Sequence, residues 1–373
     1  MAAHKPIRVL QLLGGLKVGG LEMVTASLVE RLREEFDFRV VCYDEEGPLK
    51  DRFTDVGVRV ELVPRKMGVD LKYPFKLARV LRREGIDVIH AHNNTALFYG
   101  VLAAILSGGR RVVFTAHDRA VPKCPTRLLQ RLLGKATSAA VAVSEAGKQR
   151  LLAMDGFDPH RVLVVRNGAD ERAFATPLDP ADCREKLGVP LDAEVIGTVA
   201  RLYVEKNIPM MVRAFGRLAA QRPKARLVIA GDGPERALCE DTARSLGVLD
   251  RVHFLGTRLD VTLVLGALDV FALSSNTEGL PIAVLEAMAS ELPVVATDVG
   301  ALSEVVRAGE TGWLVPSGDD VALADKLNKV LSDLPAAREL GRTGGIVFRE
   351  GFTLERMASA YGRVYREAAE GAS

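Results

Sequence analysis

The sequence predicts an α/β protein built from two doubly wound, Rossmann-like domains, and three observations lead there. Short, nearly continuous apolar runs rich in Val and Ile alternate with amphipathic helical patterns, the signature of a mainly parallel sheet covered by helices on both faces. That alternation occurs twice, up to Val165 and again from Val195. Between the two lies RNGADERAFATPLDPADCREKLGVP, with three prolines, several charges and no sustained period. A chain of 373 residues is long enough for two cores. The expected boundaries are a first domain over 1–168, a linker over 169–190, a second domain over 191–352 and a last helix over 353–373.

Each element has its own signal. Strands are expected at Ile7–Leu13, Phe38–Tyr43, Val58–Val63, Ile86–His90, Arg111–Ala116, Ala139–Val143 and Val162–Val165, then at Val195–Ala200, Arg226–Ala230, Arg251–Leu255, Asp269–Leu273, Pro293–Ala296 and Gly312–Val315. Helical periods fill the intervals, among them Leu21–Arg33, Lys72–Glu84, Thr95–Leu106, Thr126–Leu133 and Glu145–Met154 in the first half. In the second half they cover Ile208–Ala220, Glu235–Ser245, Asp260–Leu265, Pro281–Ser290 and Val321–Leu331, and the chain closes with helix from Ala336 and from Leu354. Ligands of such sheets sit at the carboxyl ends of the strands.

Composition removes several function classes. A net charge of +2 and an aromatic content of 5% give neither the field nor the stacking platform of a nucleic-acid binder. Four scattered cysteines, Cys42, Cys124, Cys183 and Cys239, form no Cys-x-x-Cys pair, so a reduced cytoplasmic chain without structural zinc is expected. The apolar run at the N-terminus is too short for a secretion signal, and nothing approaches a bilayer span.

The chemistry is expected at strand ends. After the first strand come Gly14, Gly15, Gly19 and Gly20. They allow a ligand close to the backbone, although the spacing is not GxGxxG. His90, His92 and His117 fall at or just after strand ends; a lone histidine is more often structural, but His117 ends a central strand on the ligand side. The densest stretch is DVFALSSNTEGLPIAVLEA, from Asp269. It reads as a buried strand, a polar turn with Glu278 and Gly279, and a helix with Pro281 in its first position and Glu286 further along. A helix start with unsatisfied N–H groups is an anion site, and two carboxylates beside it suit hydroxyls next to phosphates. Such units are also common as plain structure. What shifts the balance is ARLYVEKN, whose Arg201 and Lys206 fall on the same strand edge and suit a diphosphate.

Taken together, ARLYVEKN, GDGP at Gly231–Pro234, SSNTEGLPIAVLEAMA, PVVATDVGALSEVV, RNGAD and the N-terminal GG-x-E at Gly19 to Glu22 resemble the retaining glycosyltransferases of family 4, with the GT-B fold. The resemblance covers nearly the whole chain. It implies an N-terminal acceptor domain and a C-terminal nucleotide-sugar domain facing a central cleft, with the last helix returning to the first domain. It further implies that Arg201 and Lys206 hold the pyrophosphate, that Gly279, Leu280 and Pro281 at the helix start meet the donor, that Glu286 accepts from the ribose and that Glu278 lies against the transferred sugar. Gly19 and Gly20 would lie near the donor phosphate and the acceptor, His117 beside the sugar, and the base near Leu255 and Gly256, as far as Arg258. Acceptor contacts would come from Glu22, His92, Arg127 and Arg131. Three positions depart from the family pattern, all with a small residue: Ala169, Ala200 and Ala301.

The expected reaction is transfer of a hexosyl group from a nucleotide-diphosphate sugar, UDP first and GDP or ADP as alternatives, to a glycan or lipid-linked acceptor in cell-surface polysaccharide or glycolipid synthesis. No DxD-like cluster occurs at a suitable loop, so fixed cations are expected to replace a metal, with no cofactor. The alternatives are a non-hydrolysing sugar-nucleotide epimerase and a non-catalytic sugar-nucleotide-binding module. Arg127, Arg131 and Lys135 beside Leu128, Leu129, Leu132 and Leu133, and Lys76, Arg79, Arg82 and Arg83 on another helix, suit peripheral contact with the anionic cytoplasmic membrane face, against the plainer reading of solvated helix faces.

Overall fold

The computed structural model describes residues 5–117, 124–153 and 156–371. The chain forms two compact units, Met1–Asn167 with Leu354–Ser373, and Gly168–Thr353.

The first unit holds seven strands: β1 (Arg8–Leu13), β2 (Asp37–Cys42), β3 (Arg59–Leu62), β4 (Val88–Ala91), β5 (Arg111–Ala116), β6 (Ala139–Ala142) and β7 (Val162–Val164). Their order is β3-β2-β1-β4-β5-β6-β7, and every pairing is parallel. The chain runs outward from β1 to β3 and returns on the other side of β1, so the carboxyl ends of β1 and β4 flank a topological switch point. The helices are α1 (Gly20–Leu32), α2 (Lys50–Thr54), α3 (Tyr73–Glu84), α4 (Asn94–Leu106), α5 (Cys124–Lys135) and α6 (Glu145–Ala153). Local chemistry sets their ends: the Asn93 side chain accepts from the Ala96 N–H at the start of α4, and Gly85, at φ 60°, closes α3 in the left-handed conformation.

The second unit repeats the plan with β8 (Glu194–Val199), β9 (Ala225–Ala230), β10 (Val252–Gly256), β11 (Val270–Leu273), β12 (Val294–Thr297) and β13 (Gly312–Val315), ordered β10-β9-β8-β11-β12-β13 and again all parallel. Its helices are α7 (Pro180–Leu187), α8 (Ile208–Ala219), α9 (Arg236–Ser245), α10 (Val261–Gly266), α11 (Ile282–Ala289), α12 (Asp320–Ser332) and α13 (Leu334–Gly351); α14 (Leu354–Glu370) belongs to the first unit. The switch point here lies between β8 and β11. Val270, Phe271, Ala272 and Leu273 of β11 are buried throughout, which anchors the turn that follows. Truncating Phe271 to alanine would cost about 3–5 kcal/mol.

Three differences from the sequence reading have clear causes. The stretch expected to be a linker contains α7, started by Asp179 accepting from the Ala181 N–H and stopped by Gly188 at φ 67°. Its Arg184 is buried, bonded to Asp269 Oδ2 at 2.8 Å and to the carbonyls of Ala267 and Leu191, so a charge that reads as solvated anchors the helix. The second difference is α2, only five residues long, too short for a period to register. The third concerns Pro281, which caps α11 with an extended ψ of 126° instead of opening it, so that Ile282 is the first helical residue.

Candidate functional site

In the second unit the two loops beside the switch point bring together residues far apart in sequence. After β8 the chain turns through Arg201 to Lys206, and glycines let the next loop close on it. A Cβ at Gly231 (φ 146°) would lie 1.9 Å from the Ala200 carbonyl oxygen. The short helical turn Val204–Lys206 ends at Asn207 in the left-handed conformation. The Ser274 hydroxyl, just beyond β11, donates to the carbonyls of Lys206 or Asn207, and the Asn276 N–H donates to the Glu205 carbonyl. The two loops are therefore stitched by backbone before any charge acts.

Onto this frame Lys206 and Glu278 form an ion pair, Nζ to Oε1 at 2.6 Å. Ser275 donates its hydroxyl to the same Oε1, also at 2.6 Å, while Thr297 donates to the Ser275 carbonyl. Glu278 is buried, and among the described residues its Oε2 takes no hydrogen bond. A buried pair of this kind is held by geometry and costs desolvation, so it marks a place where charge is needed. Gly279 and Leu280 follow at once: the Gly279 carbonyl accepts from the Ala301 N–H, and Leu280 is buried ahead of the α11 start. Glu286 sits partly buried on α11, and burial pushes its carboxyl pKa up to about 7.

Arg201 is placed differently. Its guanidinium is exposed, 4.9 Å over the Tyr203 ring and 3.8 Å from Glu205, and it makes no bond to Glu278 or Glu286. Leu255 and Gly256 end β10; Gly256, at φ 67°, accepts from the Gly231 N–H at 2.7 Å.

In the first unit the ligand-side residues belong to a neutral network on the sheet face covered by α14. Gln11 on β1 lies beside His90 on β4 in parallel register. Alternation along the strands puts Gln11, His90, His92, Thr115 and His117 on that face. His117 Nε2 is 3.2 Å from His92 Nδ1, and His92 Nε2 is 2.7 Å from the Gln11 amide, whose other end is 3.1 Å from the Tyr365 hydroxyl. Tyr365 lies 2.7 Å from His90 Nδ1; His90 Nε2 lies 2.7 Å from Thr115 Oγ1, and Thr115 lies 3.0 Å from the Tyr361 hydroxyl. Tyr361 and Tyr365, one helical turn apart on α14, seal the chain from behind. Burial lowers all three histidines, His117 to about 4 and His90 and His92 well below the ordinary value, so the network is uncharged at neutral pH.

The remaining expected residues are scattered over the first unit. Gly19 is the extended N-cap of α1, Gly20 opens that helix at a point where an added Cβ would meet nothing within 4 Å, and Glu22 lies in its first turn. Arg131 is exposed on α5; the Arg127 side chain lies outside the described residues. Sequence reasoning missed Gln11, Thr115, Tyr361, Tyr365 and Ser275. The signals were a lone glutamine inside an apolar strand, RVLQLL, and two tyrosines four apart in an amphipathic helix.

Known proteins share this design. The profile described as Glycosyl transferases group 1 matches residues 181–345, and that of Glycosyltransferase Family 4 matches residues 18–172. The chain is 29% identical over 333 residues to a UDP-Gal:alpha-D-GlcNAc-diphosphoundecaprenol alpha-1,3-galactosyltransferase of Escherichia coli, covering 85% of this chain and 86% of that one. It is 32% identical over 320 residues to a D-inositol 3-phosphate glycosyltransferase of Kribbella flavida, covering 78% and 75%. Among solved structures, Anabaena HepE in complex with UDP and glucose superposes with a TM-score of 0.87 at 23% identity, covering 97% of this chain and all of that one. The lipopolysaccharide glycosyltransferase WaaG superposes with a TM-score of 0.77 at 18% identity, covering 96% of this chain and 99% of that one. With two parallel-sheet units and matching profiles on both, the chain belongs to glycosyltransferase family 4, is a glycosyltransferase and has the GT-B fold.

Proposed function

We propose that this glycosyltransferase takes a hexose from a UDP-sugar, with retention of configuration and without a metal, and passes it to a lipid-linked or glycan acceptor of cell-surface polysaccharide at the cytoplasmic membrane face. The observation that carries this reading is the Lys206–Glu278 pair beside the start of α11. Breaking an anomeric bond leaves negative charge on the diphosphate and positive charge on the sugar. Lys206 and the first N–H groups of α11 suit the former, and the Glu278 carboxylate suits the latter. Lys206 then does what a metal does elsewhere.

On this reading Arg201 swings from Tyr203 to join Lys206 on the diphosphate, and the Gly279 and Leu280 amides before Ile282 meet the donor. Glu286 accepts from the ribose, and Leu255 and Gly256 border the base. Gly19, Gly20 and His117 serve the donor from the first unit. Residues 1–168 are the acceptor domain, with Glu22, His92, Arg127 and Arg131 as its contacts, and 191–352 the donor domain. The UDP preference is supported by the UDP-Gal named for the Escherichia coli relative and the UDP held by HepE. The lipid-linked acceptor is supported by that relative's diphosphoundecaprenol substrate. The family assignment disfavours the epimerase alternative. No helix of the described residues is long and apolar enough to cross a membrane. The membrane contact proposed here is peripheral, through exposed apolar side chains and lysines of the first unit.

A thermal-shift panel of UDP, GDP and ADP tests the donor. A ligand at a hundred times its Kd stabilises by about 2.7 kcal/mol, worth several degrees. UDP should raise the midpoint most. A larger shift with GDP or ADP overturns the base assignment, and no shift with any of them overturns the donor site.

A further inference from the structure

We propose that Gln11 and Tyr365 are positioning residues that fix the tautomer of His117, holding its Nδ1 as an uncharged N–H donor toward the transferred sugar. The role at the sugar rests on the donor reading above; the tautomer itself does not.

At the sealed end, Tyr361, Thr115 and Tyr365 each bring one hydroxyl hydrogen and neutral His90 brings one ring hydrogen, four in all, to three contacts: Tyr361–Thr115, Thr115–His90 and His90–Tyr365. As placed, Gln11 Nε2 faces the Tyr365 hydroxyl at 3.1 Å and Oε1 faces His92 at 2.7 Å, which leaves the fourth hydrogen without an acceptor among the described residues; with the amide exchanged end for end, the Tyr365 hydroxyl donates it to Gln11. The amide must therefore present its oxygen to Tyr365 and its NH2 group to His92. Its two ends are alike in size and are told apart by the hydrogens around them, and exchanging them keeps both contacts, at 3.1 and 2.7 Å. With the nitrogen toward Tyr365, one hydroxyl hydrogen would be buried without an acceptor, at a cost that mutational series put at about 1–3 kcal/mol.

Every later hydrogen then follows. Gln11 donates to His92 Nε2, so His92 carries its hydrogen on Nδ1 and donates to His117 Nε2, leaving His117 with its hydrogen on Nδ1. Besides the second N–H of the Gln11 amide, the network's unused donor is now His117 Nδ1, at its open end, where a ligand oxygen can take it. Because the ring is neutral, it hydrogen-bonds a sugar oxygen without placing a cation beside the positive charge that grows at the anomeric carbon.

The test is a long-range ¹⁵N–¹H correlation spectrum of the full chain carrying ¹⁵N-histidine, recorded without substrate, with His117 assigned by its loss in His117→Gln. The expected result is a hydrogen on His117 Nδ1. Gln11→Met should move it toward Nε2 while the His160 and His253 signals stay in place. Tyr365→Phe should act in the same direction and reads the same point if Gln11→Met fails to fold. A hydrogen on Nε2 in the natural protein, or an unchanged tautomer in both variants, overturns the proposal. In turnover, Gln11→Met should lower kcat about tenfold with the donor KM within about twofold; an altered tautomer with unchanged kcat overturns the role at the sugar. The spectra need no donor, so failure of the glycosyltransferase reading would leave the tautomer result standing.

Discussion

The two units share a strand order around their switch points and differ in what they put there. The second unit concentrates charge: Lys206 against Glu278, with Arg201 and Glu205 on the adjoining turn. The first unit places imidazoles, phenols and an amide in the corresponding region, all uncharged at neutral pH. The same topology thus supplies two sites of opposite kind. Buried charge survives in the second because the pair is close and Ser275 shares the carboxylate, whereas in the first, burial without a counter-charge keeps the histidines neutral. On the proposed function the labour is divided: one half would stabilise charge that changes during reaction, and the other would fix hydrogen-bond direction.

The largest expected effect breaks or confirms the charged half. Lys206→Ala should lower kcat by about 10²–10³, the range for losing one preorganised partner of a developing anion. Lys206→Arg should recover little, because a planar fork does not replace a point charge at 2.6 Å from Glu278 Oε1. Single-turnover rates with saturating donor would read this directly. Loss no larger than the tenfold expected for Gln11→Met would erase the distinction between the two units.

A second, smaller effect sharpens the contrast through pH. Burial raises Glu286 to about 7, so the folded state holds this proton to higher pH than the unfolded chain does. The resulting stabilisation is fully present below the ordinary carboxylate range and is lost as pH rises through about 7. A ribose hydroxyl donating to Glu286 favours the carboxylate, so UDP should bind more tightly as pH rises through this range and should release about half a proton at pH 7. Calorimetry in two buffers of different ionisation enthalpy measures that release, and Glu286→Gln should abolish it. The buried histidine network of the first unit should add nothing to this release near neutrality, since burial lowers His117 to about 4 and His90 and His92 well below the ordinary value.

The sequence reading located every strand of both sheets to within about two residues, because parallel strands buried on both faces leave continuous apolar runs. That Lys206 and Glu278 share one strand edge was legible because both fall in loops that follow strands. The neutral network was not. Gln11 and Tyr365 are 354 residues apart, so neither predicts the other, and a glutamine in a strand signals only that some partner must exist. Nor could sequence show that Arg201 rests on Tyr203, a choice set by the shape of one short turn. The helix α7 was hidden because its proline and charges read as loop, when they are a helix start and a buried anchor.

The smallest expected effect concerns the outer surfaces, where the units differ again. In the second unit exposed large apolar residues such as Leu191, Leu238 and Ile346 are spread along the chain. In the first they crowd together: Met67 at 97% exposure, Val69, Leu71 and Phe75 at 63% stand among Lys66, Lys72 and Lys76. The segment between Glu61 and Glu84 has one acidic residue, Asp70, and it is buried, accepting from the Lys66 and Lys72 N–H groups while its own N–H donates to Tyr99. The loop thus withdraws its negative charge and turns its apolar side chains outward, beside a groove lined by Leu71, Pro74, Phe98 and Ile105. Lysines near an anionic bilayer contribute about 1 kcal/mol each, and burying a phenylalanine contributes about 1.5–3 kcal/mol when complete. Phe75→Ser should therefore weaken co-sedimentation with anionic vesicles about fivefold, and added salt should weaken it further. Ile346→Ser on the second unit should leave it unchanged. Equal partitioning of Phe75→Ser and the natural protein would remove membrane contact from this loop and leave the exposed leucines of α5, Leu128, Leu129 and Leu132, as the surface to test.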